Sequence, residues 1–247
     1  MHKFQLNPDY KFFKSFLLNI KQYFQENDNS IHKARNELKI ISFKNHDTVV
    51  KSFKVPNLLR RVFYTYFRDT KAKKSYDYSL KIGHFTPDPI GYIEFYKLGL
   101  LEDSYFIAEK FEYDFTIKEP IVNQKFLGRD SIFSAFAYFT YNLHQNQILH
   151  KDYSPGNILI KKENDSYTFK IVDINRMEFK ELSLDTRLKN FAKLWLLDED
   201  LIKIVSVYAS LVKQDKERCI TLALEYSHKL KRKINMKKRL KGIPVVD

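Results

Sequence analysis

The stretch HKDYSPGNIL, residues 150–159, places His150, Asp152 and Asn157 on a turn-forming segment that contains Pro155 and Gly156. A carboxylate, an amide five residues later, and a second carboxylate, Asp173, at the end of the strand-like YTFKIVDIN form an arrangement suited to phosphoryl transfer. That chemistry needs a base or orienting group for the attacking hydroxyl, oxygen ligands for Mg²⁺, and positive charge on the nucleotide phosphates. Asp152 supplies the first, Asn157 and Asp173 the second, and a cation must come from elsewhere in the chain. The competing reading is structural, since Asx side chains routinely cap turns. The joint spacing of all three residues favours the chemical reading.

The loop lies between two core elements. SIFSAFAYFTYNLHQNQIL reads as a largely buried helix over 129–147, and strands follow over 157–162 and 167–173, joined across KKENDS. Upstream, the pattern predicts a helix over 8–26, strands over 31–35, 37–44 and 47–54, and helices over 56–67 and 70–82. PIGYIEFYKL and SYFIAEKF form a hairpin across GLLED, and beyond the second loop the chain reads mostly as helix. A strand-rich first half and a helix-rich second half make an α+β fold. Phe133, Phe136, Tyr138 and Phe139 read as core packing, and His144 as a satisfied histidine.

With 247 residues and ample apolar and aromatic content, the chain can bury one substantial core or two smaller ones. One cysteine, Cys219, excludes an internal disulfide and suits a reducing compartment. No apolar run approaches a membrane span, and MHKFQLNPDYKFF lacks the features of a signal peptide, so the chain reads as neither spanning nor exported. The net charge of +13 is concentrated in two blocks. Residues 51–75 carry Lys51, Lys54, Arg60, Arg61, Arg68, Lys71, Lys73 and Lys74 against Asp69 alone, and residues 228–241 (HKLKRKINMKKRLK) carry no acid at all. Such blocks attract nucleic acid, an anionic membrane face or a phosphorylated substrate.

H-x-D-x-x-x-x-N followed by a strand-borne Asp resembles the catalytic and metal-binding loops of the protein-kinase-like fold. Ser154, where protein kinases usually carry Lys, and the following Pro-Gly-Asn-Ile-Leu are closer to the small-molecule kinases of that group. Asp-Ile-Asn-Arg at 173–176, VVKSFKVPNLLRRV, KSYDYSLKI, TPDPIGYIE and Arg35-Asn36-Glu37 resemble the lipopolysaccharide core kinase family, the Kdo and heptose kinases, over roughly residues 5–200.

The resemblance implies a protein-kinase-like two-lobed fold: an N-lobe, residues 1–111, built on a small antiparallel sheet, and a mainly helical C-lobe, residues 112–247, carrying both loops and the basic tail. It implies ATP and Mg²⁺ as cofactors, with Asp152 as base or orienting group, His150 holding the loop, and Asn157 and Asp173 on the metal. Lys51, with Lys54 as the alternative, would grip the phosphates, and Asp77 would hold that lysine. There is no glycine before Gly83, so residues 30–36, with Arg35, would have to cover the nucleotide in place of a Gly-rich loop. Asn175 stands where protein kinases carry Gly, a position that Asn fills because it tolerates a left-handed backbone. Arg176 either binds an anionic acceptor or braces the loop.

The implied activity is phosphorylation of a sugar hydroxyl, on Kdo or heptose, of the lipopolysaccharide inner core. The site would be the inner, cytoplasmic face of the cytoplasmic membrane, with peripheral contact to anionic lipid rather than nucleic acid. The alternatives are a protein kinase acting on Ser, Thr or Tyr, its own included, and a catalytically silent kinase-like binding module.

Overall fold

Alternating apolar residues and two turns with positive φ build the first sheet. Lys44 and Asn45 (φ 49° and 64°) join one pair of strands, and Leu98 and Gly99 (φ 51° and 75°) another, the backbone that tight hairpins of matching twist require. The computed structural model describes residues 1–33, 36–54, 57–164 and 166–245. Strands β1 (His2–Leu6), β2 (Ser30–Lys33), β3 (Asn36–Phe43), β4 (His46–Phe53), β5 (Pro89–Lys97) and β6 (Leu100–Glu109) form an antiparallel sheet in the order β1-β5-β6-β4-β3-β2.

This sheet has two differently covered faces. Helices α1 (Lys14–Leu18) and α2 (Ile20–Glu26), entered through a 3₁₀ turn at Pro8–Phe13, bring Phe13, Phe16, Leu17, Ile20 and Phe24 onto Ile41, Val50, Ile90, Ile93 and Ile107. After α3 (Leu58–Tyr66), α4 (Lys71–Ile82) places Ala72 and Tyr76 on Phe53 and Tyr92. Thr70 caps α4 by accepting from Lys73 N–H at 3.1 Å, and its hydroxyl donates to the buried Glu94 at 2.6 Å. The period of two along β4 turns Val50 toward α1 and α2, and Lys51 and Phe53 toward the opposite face. The Lys51 ammonium stands 5.5 Å over the Phe53 ring.

The remaining elements are β7 (Phe115–Thr116), α5 (Lys118–Val122), α6 (Arg129–Gln145), β8 (Ile148–His150), β9 (Ile158–Glu163), β10 (Ser166–Ile171), β11 (Met177–Phe179), α7 (Leu184–Phe191), α8 (Asp198–Leu211) and α9 (Lys216–Arg239). Strands β10, β9 and β7 form a three-stranded antiparallel sheet, and β11 pairs with β8. Helix α6 buries Ile132, Phe133, Phe136, Ala137, Thr140, Leu143 and His144 at helical spacing, and it packs on α8, which buries Leu201, Ile204, Val205 and Tyr208. Arg129 joins α5, α6 and α8 through an ion pair with Asp200 and a bond from its Nε to the Pro120 carbonyl at 2.6 Å. The chain divides into two compact units, Met1–Glu112 with Asp173–Asn175, and Tyr113–Val172 with Arg176–Asp247.

The α+β class holds, with several corrections of detail. The expected helix over 8–26 is three segments, broken where Asn19 bonds back to Ser15. The connection read as GLLED is a two-residue turn, and Leu100–Glu109 form one strand interrupted by a bulge at Glu102. Strands β1, β7, β8 and β11 were not expected. Among the described residues no helix is long and apolar enough to cross a membrane.

Candidate active site

Strand β8 delivers His150 into the interior, where 1% of its surface is exposed. Its Nε2–H donates to the Val172 carbonyl at 3.0 Å, and its Nδ1 accepts from the Asp152 N–H at 3.1 Å. An accepting Nδ1 carries no proton, so the network assigns the Nε2–H tautomer. The ring therefore ties the loop to the segment leading toward Asp173. Tyr153, fully buried, anchors the next position by a 2.8 Å bond between its hydroxyl and that of Thr140 and by stacking on Phe136.

The chain then turns. Ser154 N–H donates to the Asp152 carbonyl at 2.7 Å, and Pro155–Asn157 form one 3₁₀ turn before β9 begins. Asn157 Nδ2 also donates to the Asp152 carbonyl, at 2.9 Å. This bond fixes the amide orientation and leaves Oδ1, which accepts no hydrogen bond among the described residues, as an oxygen donor. The Asp152 carboxylate stays half-exposed with Arg176 Nη1 at 3.6 Å. Arg176 is itself 58% exposed, so it braces Asp152 while remaining open to solvent.

Three buried side chains support this loop from behind. Asn190 on α7 donates from Nδ2 to the His150 carbonyl at 3.1 Å and accepts from His144 Nε2 at 3.2 Å. His144 Nδ1 in turn accepts from the Tyr208 hydroxyl at 2.7 Å. Burial pushes the His144 pKa down from 6.5 to about 4, so the ring is neutral and both bonds keep their direction near pH 7. His144 is thus satisfied, as expected, and the structure places it in the interior. Asn190 was not anticipated, because nothing in LDTRLKNF marks one polar residue above another.

Asp173 belongs to the unit that contains the large sheet. Its Oδ1 accepts from Lys51 Nζ at 2.5 Å and from Asn175 Nδ2 at 2.6 Å. Lys51, toward the end of β4, has 12% of its side chain exposed, and Lys54 is an exposed residue just past the strand. Asp77 does not reach Lys51: it pairs with Lys73 at 2.6 Å, one turn back on α4, and Lys73 also lies 3.5 Å from Asp69. The expected Lys51–Asp77 pair is therefore replaced by Lys51–Asp173 and Lys73–Asp77. The left-handed residue is Asp173 (φ 56°), not Asn175, whose role is the bond to Asp173. Arg35 lies outside the described residues. Among the described residues no group of three or more His, Cys, Asp or Glu is placed to hold a metal.

No protein-family model and no curated protein matches the chain. Among solved structures it is similar to WaaP in complex with acyl carrier protein, at 13% identity and a TM-score of 0.57, over 92% of this chain and 99% of that one. At this identity the likeness shows the fold. It is kinase-like, with a small antiparallel-sheet N-terminal lobe and a mainly helical C-terminal one.

Proposed function

We propose that the protein is an ATP- and Mg²⁺-dependent kinase whose acceptor is a sugar hydroxyl, Kdo or heptose, of the lipopolysaccharide inner core. The observation that carries the reading is the loop 150–157. A single carbonyl, that of Asp152, accepts from both Ser154 N–H and Asn157 Nδ2, so one turn presents a half-exposed carboxylate and an oriented amide oxygen together. A turn that merely capped a strand would have no use for the second.

Asp152 takes the proton of the acceptor hydroxyl, or orients it, and Arg176, 3.6 Å away, adds a positive charge that suits an anionic acceptor. Asn157 and Asp173 carry oxygen donors of the kind that would hold Mg²⁺, which would supply positive charge against the nucleotide phosphates. Lys51 is the phosphate cation, and in the structure Asp173 holds its ammonium. Asp77 is engaged with Lys73 and receives no role. The lipopolysaccharide acceptor is supported by the motifs between residues 5 and 200, and the fold shared with WaaP is compatible with it. The WaaP complex also makes acyl carrier protein a partner to test by co-purification.

Calorimetry with ATP, with and without Mg²⁺, separates a kinase from a silent module. Asp173→Ala is expected to abolish Mg²⁺-dependent nucleotide binding. Asp152→Asn is expected to keep binding and lower turnover by about 10²- to 10⁴-fold. Equal turnover of Asp152→Asn and the parent overturns the assignment. Mass spectrometry of core oligosaccharide from strains with and without the protein then identifies the acceptor by the missing phosphate.

A further inference from the structure

Helix α9 is docked along one face and bare along the other. Cys219, Ala223 and Ser227 are buried at four-residue spacing. The same face continues through Lys231, whose Nζ donates to the Leu196 carbonyl at 2.6 Å, to Lys238, which stands 6.0 Å over the ring of Trp195. Half a turn away from Lys238, Met236 and Leu240 share the outer face and are 56% and 80% exposed. Just past the helix, Gly242 (φ 67°) allows a closing motif in which Gly242 N–H donates to the Arg239 carbonyl and Ile243 N–H to the Lys238 carbonyl, both at 3.0 Å. Ile243, 48% exposed, is thereby held at the helix end rather than left on a free tail.

These three apolar side chains are surrounded by charge of one sign. Lys229, Arg232, Lys233, Lys237 and Lys241 are all exposed around them, and from Tyr226 to Val245 the chain has no acidic residue. A solvated basic face has no use for exposed Met, Leu and Ile at its centre. A nucleic-acid site would match the cations but leave the same side chains without an apolar partner. A bilayer of anionic phospholipid matches both, with headgroups for the cations and the acyl boundary for the apolar stripe.

We propose that the C-terminal end of α9 docks on anionic phospholipid bilayers, inserting Met236, Leu240 and Ile243 between headgroups contacted by the flanking lysines and arginines. This supplies a means of meeting a lipid-linked acceptor where no helix among the described residues is long and apolar enough to span, and it stands independently of the phosphotransfer reading, since a silent module would bind in the same way.

The test is co-sedimentation of the full chain, without nucleotide, with vesicles of phosphatidylcholine alone or mixed with phosphatidylglycerol. The parent is expected to bind the anionic vesicles at least tenfold more tightly. Met236→Ser, Leu240→Ser and Ile243→Ser combined are expected to lower that binding tenfold or more, and Lys237→Ala or Lys241→Ala about fivefold each. Trp195, the sole tryptophan, reports by its emission that α9 remains docked in each variant. Unchanged binding of the triple serine variant, equal binding to neutral vesicles, or displacement from vesicles by RNA at lower concentration than the lipid overturns the proposal. Asp152→Asn is expected to bind vesicles as the parent does. If the protein binds lipid and fails to bind ATP, the kinase reading falls and this one stands.

Discussion

Asp173 holds a backbone conformation that costs most L-residues about 1 kcal/mol or more and that Asp tolerates better than larger side chains. With φ at 56°, its carboxylate meets Lys51 and Asn175 on a single oxygen, Oδ1. If Asn175 served only as a stand-in for glycine, Asn175→Gly would be neutral. Because its own backbone is not left-handed and its amide donates to Asp173, both Asn175→Gly and Asn175→Ala are expected to weaken Mg²⁺-dependent ATP binding about tenfold, the scale of one hydrogen bond to a charged group. Calorimetric affinities that leave Asn175→Gly equal to the parent would return the residue to a conformational role. The turn that carries Asp152 and Asn157 and the strand that leads to Asp173 were legible because their residue types and spacing sit within one stretch of chain. The partner of Lys51 was not, because Asp77 and Asp173 are both acids at a plausible separation and only tertiary structure chooses between them. The structure chooses through reach, since Lys73 is one turn from Asp77 on the same helix.

Long, periodic elements were readable and short ones were not. Helix α6 and the hairpins of the large sheet declare themselves by periods of 3.6 and 2, whereas β8 and β11 have three residues each and are strands only because they pair with each other. The same holds for β1, an exposed edge strand defined by its pairing with β5. That pairing depends on Gly91, where an added Cβ would stand 2.7 Å from the Gln5 carbonyl oxygen and 3.3 Å from Leu17 Cδ2. Gly91→Ala is therefore expected to cost about 1–3 kcal/mol, read as a lowered denaturation midpoint, and an unchanged midpoint would show that β1 yields freely. The junction of α6, α7 and α8 makes a second test. The His144 pKa lies near 4 in the fold, against about 6.5 when exposed. As pH falls from 6.5 to 4 the unfolded chain takes up a proton that the folded ring refuses, so stability is full above this window and drops through it by up to about 3 kcal/mol. Urea midpoints at pH 7.5 and 4.5 are expected to differ less for His144→Gln than for the parent. An identical difference would mean that other groups carry the acid sensitivity.

On the scale of the whole chain, the first compact unit ends at Glu112, yet Asp173–Asn175 return to it from the middle of the second. That excursion brings a carboxylate 122 positions away in sequence onto Lys51, a pairing beyond any local sequence signal. Ligand binding turns this connectivity into a measurable stability. Anything that binds the folded chain and not the unfolded one stabilises it by mass action, about 2.7 kcal/mol at a hundredfold excess over Kd. For a protein of this size each kcal/mol moves Tm by about 2–4 °C, so saturating Mg²⁺-ATP is expected to raise Tm by roughly 5–10 °C. Asn157→Ala is expected to lose the Mg²⁺-dependent part of that rise and to keep whatever ATP alone provides through Lys51. Lys51→Met is expected to lose both. The comparison discriminates because the basic blocks, which give the chain its charge of +13, attract any polyanion: a rise produced equally by inorganic triphosphate without Mg²⁺, and unaffected by either substitution, would assign the effect to surface charge and remove the nucleotide from residues 51, 157 and 173.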